Sequence, residues 1–108
     1  MLNADTSFKL IALYRTPSNP TAFDRHYMDV HAPLARKIPG LSRLVVNRGI
    51  TPPWGGQSPY YLVAEMQFPD EATFTAAMAS PENRATGKDL RQFAGDLVTL
   101  VVIREEKL

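Results

Sequence analysis

Phe8-Lys9-Leu10-Ile11-Ala12-Leu13-Tyr14-Arg15-Thr16-Pro17-Ser18-Asn19-Pro20 decides the fold. Residues 8–15 are a compact apolar run stopped by Thr16-Pro17, which reads as a strand. Asn19 can cap a helix, and Pro20 stands where no N–H is needed, so a helix starts directly after the strand.

Outward from this pair, Phe23, Tyr27, Val30, His31 and Leu34 recur at helical spacing, which predicts a helix from about Pro20 toward Lys37. Pro33 interrupts it: its ring clashes with the carbonyl four residues back, so a kink or restart is expected near Ala32. Pro39-Gly40 ends the helix. A second strand is expected over 41–50, a Pro/Gly-rich loop over 51–59 and a third strand over Tyr60 to Phe68. Asp70 caps a second helix with Phe74, Ala77 and Met78 inward. Ser80-Pro81 restarts it, Gly87 is expected to break it again, and a last short turn is anchored by Leu90 and Phe93. A fourth strand covers 96–104. The order β-α-β-β-α-β, with right-handed crossovers, gives an α+β ferredoxin-like fold. Its four-stranded antiparallel sheet has helices on one face and the first and third strands in the middle.

A length of 108 residues fits a single domain over 1–108. Lys plus Arg number 12 against 11 Asp plus Glu, a balance that argues against a nucleic-acid binder. No run approaches the ~20 apolar residues of a membrane span, and Met1 to Ser7 has no signal-peptide core. The absence of cysteine removes disulfides, thiolate nucleophiles and Cys-based metal sites. A cytoplasmic protein is the simplest expectation.

The strands do not alternate apolar with polar. Phe8, Leu10, Ala12 and Tyr14 occupy one side of the first strand and Ile11 and Leu13 the other. In the last, Leu97, Val101 and Ile103 oppose Val98, Leu100 and Val102. Helices cover only one face, so a two-fold partner is expected to cover the other.

The segment Phe23-Asp24-Arg25-His26-Tyr27-Met28-Asp29-Val30-His31-Ala32-Pro33-Leu34, followed by Ile38-Pro39-Gly40-Leu41, resembles the signature of the EthD-like family of the dimeric α+β barrel superfamily. The shared pattern is an aromatic, a tyrosine, His-x-Pro-Leu, then Pro-Gly-Leu entering the second strand. The resemblance implies a homodimer with a pocket in each subunit, between the helices and the sheet, for a small hydrophobic or aromatic ligand. Superfamily relatives include monooxygenases, isomerases, cyclases and haem-handling enzymes, and fold alone does not choose among them.

His31 follows Tyr27 by four positions, ~40° around a helix, so both point toward the sheet with Phe23. An inward imidazole beside a phenol can move a proton near neutral pH while the phenol orients it or stabilises an enolate. Alternatively His31 is structural, serving the Asp29 carbonyl that Pro33 leaves without a donor. By resemblance to superfamily cyclases, Ile11, Leu13 and Arg15 of the first strand and Tyr60 and Leu62 of the third would face the helices. Together with Met78 they would line the pocket, Arg15 and Tyr60 meeting a carboxylate or phenolate. Glu65 would face the dimer side and need Arg43 or Arg48 as a partner.

His26 lies ~140° from His31 on a regular helix, so it is expected to face solvent and cannot share a metal with it. No metal and no cofactor are expected. Ser80 stands where related cyclases can carry a catalytic histidine and reads instead as an N-cap. Trp54 is a lid, a dimer contact or simply an exposed loop residue. Two functions follow. One is a cofactor-independent enzyme, of oxidoreductase or monooxygenase, isomerase or cyclase type, acting on a small carbonyl-bearing cyclic or aromatic metabolite. The other is a non-catalytic small-molecule-binding or accessory protein of a degradation pathway.

Overall fold

The computed structural model describes residues 7–108; Met1 to Thr6, and the expectation that they form no signal-peptide core, lie outside the described residues. Four strands, β1 (Phe8–Arg15), β2 (Arg43–Asn47), β3 (Tyr60–Phe68) and β4 (Val98–Arg104), form one antiparallel sheet in the order β2-β3-β1-β4. Helices α1 (Pro20–His26) and α2 (Ala32–Ala35) flank a single π turn, Tyr27–His31, while α3 (Glu71–Met78) and α4 (Pro81–Ala94) follow β3. The fold is ferredoxin-like α+β with β1 and β3 central, as the element order predicts.

Capping side chains set the helix starts. Asn19 Oδ1 accepts from the Ala22 N–H at 3.1 Å, Asp70 Oδ1 from Thr73 at 2.8 Å and Ser80 Oγ from Asn83 at 3.1 Å. Ser80 Oγ also donates to the Ala77 carbonyl at 2.6 Å, which ties the end of α3 to the start of α4. Contrary to expectation, α4 runs unbroken through Gly87. A helical glycine costs only about 1 kcal/mol, and the buried stripe Thr86, Leu90 and Ala94 runs past it, with Leu90 and Ala94 in the core beside Ala12 and Tyr14. Geometry requires glycine at position 40: its φ is +81°, and a Cβ there would run into Thr73 Cγ2 on α3.

Register assigns the faces, because directly opposed residues share a side. Tyr14 opposes Leu62, Ala12 opposes Ala64 and Leu10 opposes Met66, and these side chains pack under the helices. Ile11 opposes Glu65 and Val101, and Leu13 opposes Val63 and Thr99. Ile11 and Leu13 therefore face away from the helices, which corrects the expectation that they line a helix–sheet pocket. Parity in one strand cannot be chosen independently of its neighbour, and Leu62 already fixes the helix side.

The shortest dimension of the molecule is 19 Å, room for one helical layer on the sheet. On the uncovered face Val101 and Ile103 are 39% and 47% exposed. Glu65 sits there too, but its partners are not Arg43 or Arg48. Asn47 Nδ2 donates to it at 3.0 Å, Gln67 Nε2 at 3.2 Å, and Lys9 Nζ stands at 3.9 Å. Among the described residues no helix is long and apolar enough to cross a membrane.

Candidate functional site

Pro33 lacks the N–H that would bond the Asp29 carbonyl, and the helix meets this by widening into the π turn, with the Ala32 N–H donating to the Tyr27 carbonyl. In an i→i+5 turn, residues five apart come close to alignment. His26 and His31, which a regular helix would splay, instead converge on Asp89 of α4. His31 Nδ1 lies 3.0 Å from Asp89 Oδ2, and His26 Nε2 lies 2.8 Å from Oδ1 and 3.0 Å from Oδ2. The expectation that His26 faces solvent is corrected by the same π turn, which leaves its side chain 33% exposed against Asp89.

A carboxylate only accepts, so each imidazole carries its hydrogen on the nitrogen facing Asp89. In neutral His31 this leaves Nε2 as the bare acceptor. Burial holds the His31 pKa below its ordinary value, with the Asp89 hydrogen bond pulling the other way. The imidazole is therefore neutral at pH 7, oriented by a carboxylate.

Aromatic rings surround it. The Tyr27 and Phe93 ring centroids lie 5.4 and 5.0 Å from that of His31. Tyr14, at the end of β1, meets Phe23 and Tyr27 edge-on at 5.3 and 5.8 Å. Burial pushes the Tyr27 phenol up to about 12 against the pull of Arg48 and Arg36, and it raises Tyr14 further still, helped by Tyr27 and Asp89. Both phenols stay protonated and are donors. Among the described residues neither hydroxyl has a hydrogen-bond partner.

Beside this nest, a shift in register between β1 and β3 opposes Tyr14 to Leu62 but Arg15 to Tyr60, leaving Tyr61 as the bulged residue. The bulge turns Tyr61 toward the helices. Its ring lies 5.8 Å from that of Phe23, and its hydroxyl donates to Asp24 Oδ2 at 2.8 Å, a bond that raises its own pKa. Arg48 Nη1 stands 3.1 Å from Asp24 Oδ1.

At the end of β1 a cleft of about 720 Å³ opens between the turn Thr16 to Asn19 and the last turn of α4. His26 and Phe93 line it; Tyr27 and His31 do not.

The structure thus brings together Phe23, Tyr27, His31 and Leu62. Met78 belongs instead to a second core cluster with Ile38, Met66 and Phe68. Arg15 and Tyr60 meet as partners at the sheet end, where the Arg15 guanidinium donates to the Asp96 carbonyl. Ile11 and Leu13 lie across the sheet. Sequence reasoning missed Asp89, Tyr14, Phe93 and His26. The signal for the first was available: Asp89 and Phe93, four apart beside the buried stripe Thr86-Leu90-Ala94, share one face of α4 once Gly87 is kept inside the helix.

The EthD domain model matches residues 15–96. An uncharacterized 11.0 kDa protein of the thcB-thcC intergenic region of Rhodococcus erythropolis is 33% identical over 100 residues, covering 92% of this chain and 95% of that one. The crystal structure of an ethyl tert-butyl ether degradation (EthD) family protein from Bacillus halodurans is 45% identical with a TM-score of 0.84, over 94% of this chain and 99% of that one. Two more distant structures share the fold. Hydroxynitrile lyase from Passiflora edulis is 9% identical, TM-score 0.74, over 97% of both chains. A dimeric ferredoxin-like protein of unknown function from Thermobifida fusca is 16% identical, TM-score 0.66, over 94% of this chain and 92% of that one.

Proposed function

This chain belongs to the EthD domain family, and from that premise we propose that it is a cofactor-independent proton-transfer enzyme acting on a small carbonyl-bearing cyclic or aromatic metabolite. The observation that carries this reading is the His31–Asp89 contact of 3.0 Å inside a shell of neutral phenols. It has the form of a base oriented by a third group. His31 Nε2 removes a proton from the carbon beside the carbonyl. The electron pair moves onto the carbonyl oxygen, and the Tyr27 and Tyr14 hydroxyls, which have no other acceptor among the described residues, donate to the enolate. Return of the proton to a different atom completes an isomerisation; attack of the enolate carbon on a second carbonyl of the same substrate, whose oxygen then takes the proton back from His31, completes a cyclisation. The same enolate is the electron-rich species that oxygenation would need.

The enzyme works as a cytoplasmic homodimer. A sheet face carrying Leu13, Val63, Val101 and Ile103 has no cover within the chain, and a two-fold copy covers it. The fold relative from Thermobifida fusca is itself dimeric.

The test is deuterium wash-in. A panel of cyclic 1,3-diketones and aryl ketones is held in D2O with the protein, and exchange beside the carbonyl is followed by NMR. Wild type should accelerate exchange for at least one member, and His31→Ala should lower that rate about 10²-fold or more. The second reading, a binding or accessory protein, is favoured by the burial of His31, which is only 3% exposed. It predicts ligand binding without exchange, with His31→Ala lowering the melting temperature alone.

A further inference from the structure

The cleft at the end of β1 has the size of a small-molecule site, about 720 Å³, and a mixed lining. Its apolar wall is Phe23, Phe93 and Leu97; its ionisable groups are His26, Arg91 and Asp96. Two of these have compensation nearby. The imidazole of His26 bonds Asp89, and the Arg15 guanidinium reaches the backbone carbonyl of Asp96, bringing a positive charge beside that residue. Arg91 differs: among the described residues its guanidinium has no carboxylate partner, while Asp89, the neighbouring acid on α4, is engaged by two imidazoles.

Phe93 is the partition. Its ring lies 4.5 Å from His26, which lines the cleft, and 5.0 Å from His31, which is buried. It also touches Tyr14 and Tyr27 at 6.4 and 6.5 Å. A ligand resting on Phe93 is therefore one aromatic ring away from the proposed base.

We propose that this cleft binds a small aromatic carboxylate, its ring against Phe93 and its carboxylate on the Arg91 guanidinium, and that Phe93 separates it from His31. A guanidinium holds a carboxylate through two parallel N–H donors, which a ring-stacked acid satisfies and a neutral analogue of the same shape does not. This goes beyond the proton-transfer reading: with Phe93 between them, the acid held in the cleft is a neighbour of the proposed base and not the group that His31 deprotonates.

Benzoate and benzamide, of nearly equal shape, are titrated against the full chain by NMR, following the His26 and Phe93 signals. Benzoate should bind about tenfold more tightly than benzamide. Arg91→Gln should erase that preference and Arg91→Lys keep part of it. Arg91 is exposed, so neither change threatens the fold. Diethyl pyrocarbonate should modify His26 alone in wild type, by mass spectrometry, and both histidines in Phe93→Ala. Equal affinity for benzoate and benzamide, or a preference that survives Arg91→Gln, overturns the carboxylate site. Fast modification of His31 in wild type overturns the partition. Benzoate binding as expected, with no deuterium exchange in any substrate of the panel, would leave the site in place and remove the base.

Discussion

Asp89→Ala removes the acceptor of three contacts, two from His26 and one from His31. The two imidazoles suffer unequally. The His26 side chain is 33% exposed and exchanges its partner for water, whereas that of His31 is 4% exposed and is left with a donor that has none. A buried unmet donor costs about 1–3 kcal/mol, so the loss should be near 2 kcal/mol. For a chain of this size that is a melting temperature lower by roughly 8–16 °C.

The loss should also grow in acid. Burial depresses the folded-state pKa of His31, so its contribution to stability is full above the unfolded value of about 6.5 and falls as pH drops toward the folded one. Asp89 favours the charged imidazole. Without it the folded pKa sinks further, and the decline continues to lower pH. Thermal melts by circular dichroism at pH 7.5 and pH 5, at one protein concentration, should show a larger deficit at pH 5. Asp89→Asn, which keeps one acceptor, should lie between. A variant melting within about 2 °C of wild type at both pH values would show that Asp89 does not hold His31, and the site as described would fall with it.

Pro33→Ala restores the N–H that the Asp29 carbonyl lacks. The π turn should relax to a regular helix, with His26 swinging off Asp89; a crystal structure of the variant that still shows the π turn would refute the proline as its cause. Leu13→Glu places a charge on the uncovered sheet face opposite Val63 and should halve the mass measured by light scattering, while an unchanged mass places the interface elsewhere. Leu62→Ala opens a void at a fully buried position between the nest and the sheet, for about 2–5 kcal/mol in denaturant unfolding.

Much of the fold was legible. The strand over Phe8–Arg15, the strand over Tyr60–Phe68 and all three capping residues follow from apolar runs and punctuation, because those are local properties. That both faces of the sheet are apolar was legible for the same reason; which of them carries Leu13 and lies uncovered was not. What the chain hides is relational. Ile11 and Leu13 were assigned to the wrong side because face is fixed by pairing with Leu62 and Ala64, not by a strand in isolation. Tyr61 is re-aimed by a bulge that leaves no mark in the sequence. At Pro33 a break was expected near Ala32, but not the π turn over Tyr27–His31, and so not the meeting of His26 with His31. Asp89 was missed because Gly87 was given more power to end a helix than about 1 kcal/mol confers.

The most direct test is the tautomer of His31. Long-range ¹⁵N–¹H NMR of the folded protein at pH 7.5 should show a neutral imidazole protonated at Nδ1, with Nε2 unprotonated and free to accept. A ring protonated at Nε2, or an imidazolium at that pH, would mean that no base stands in this nest.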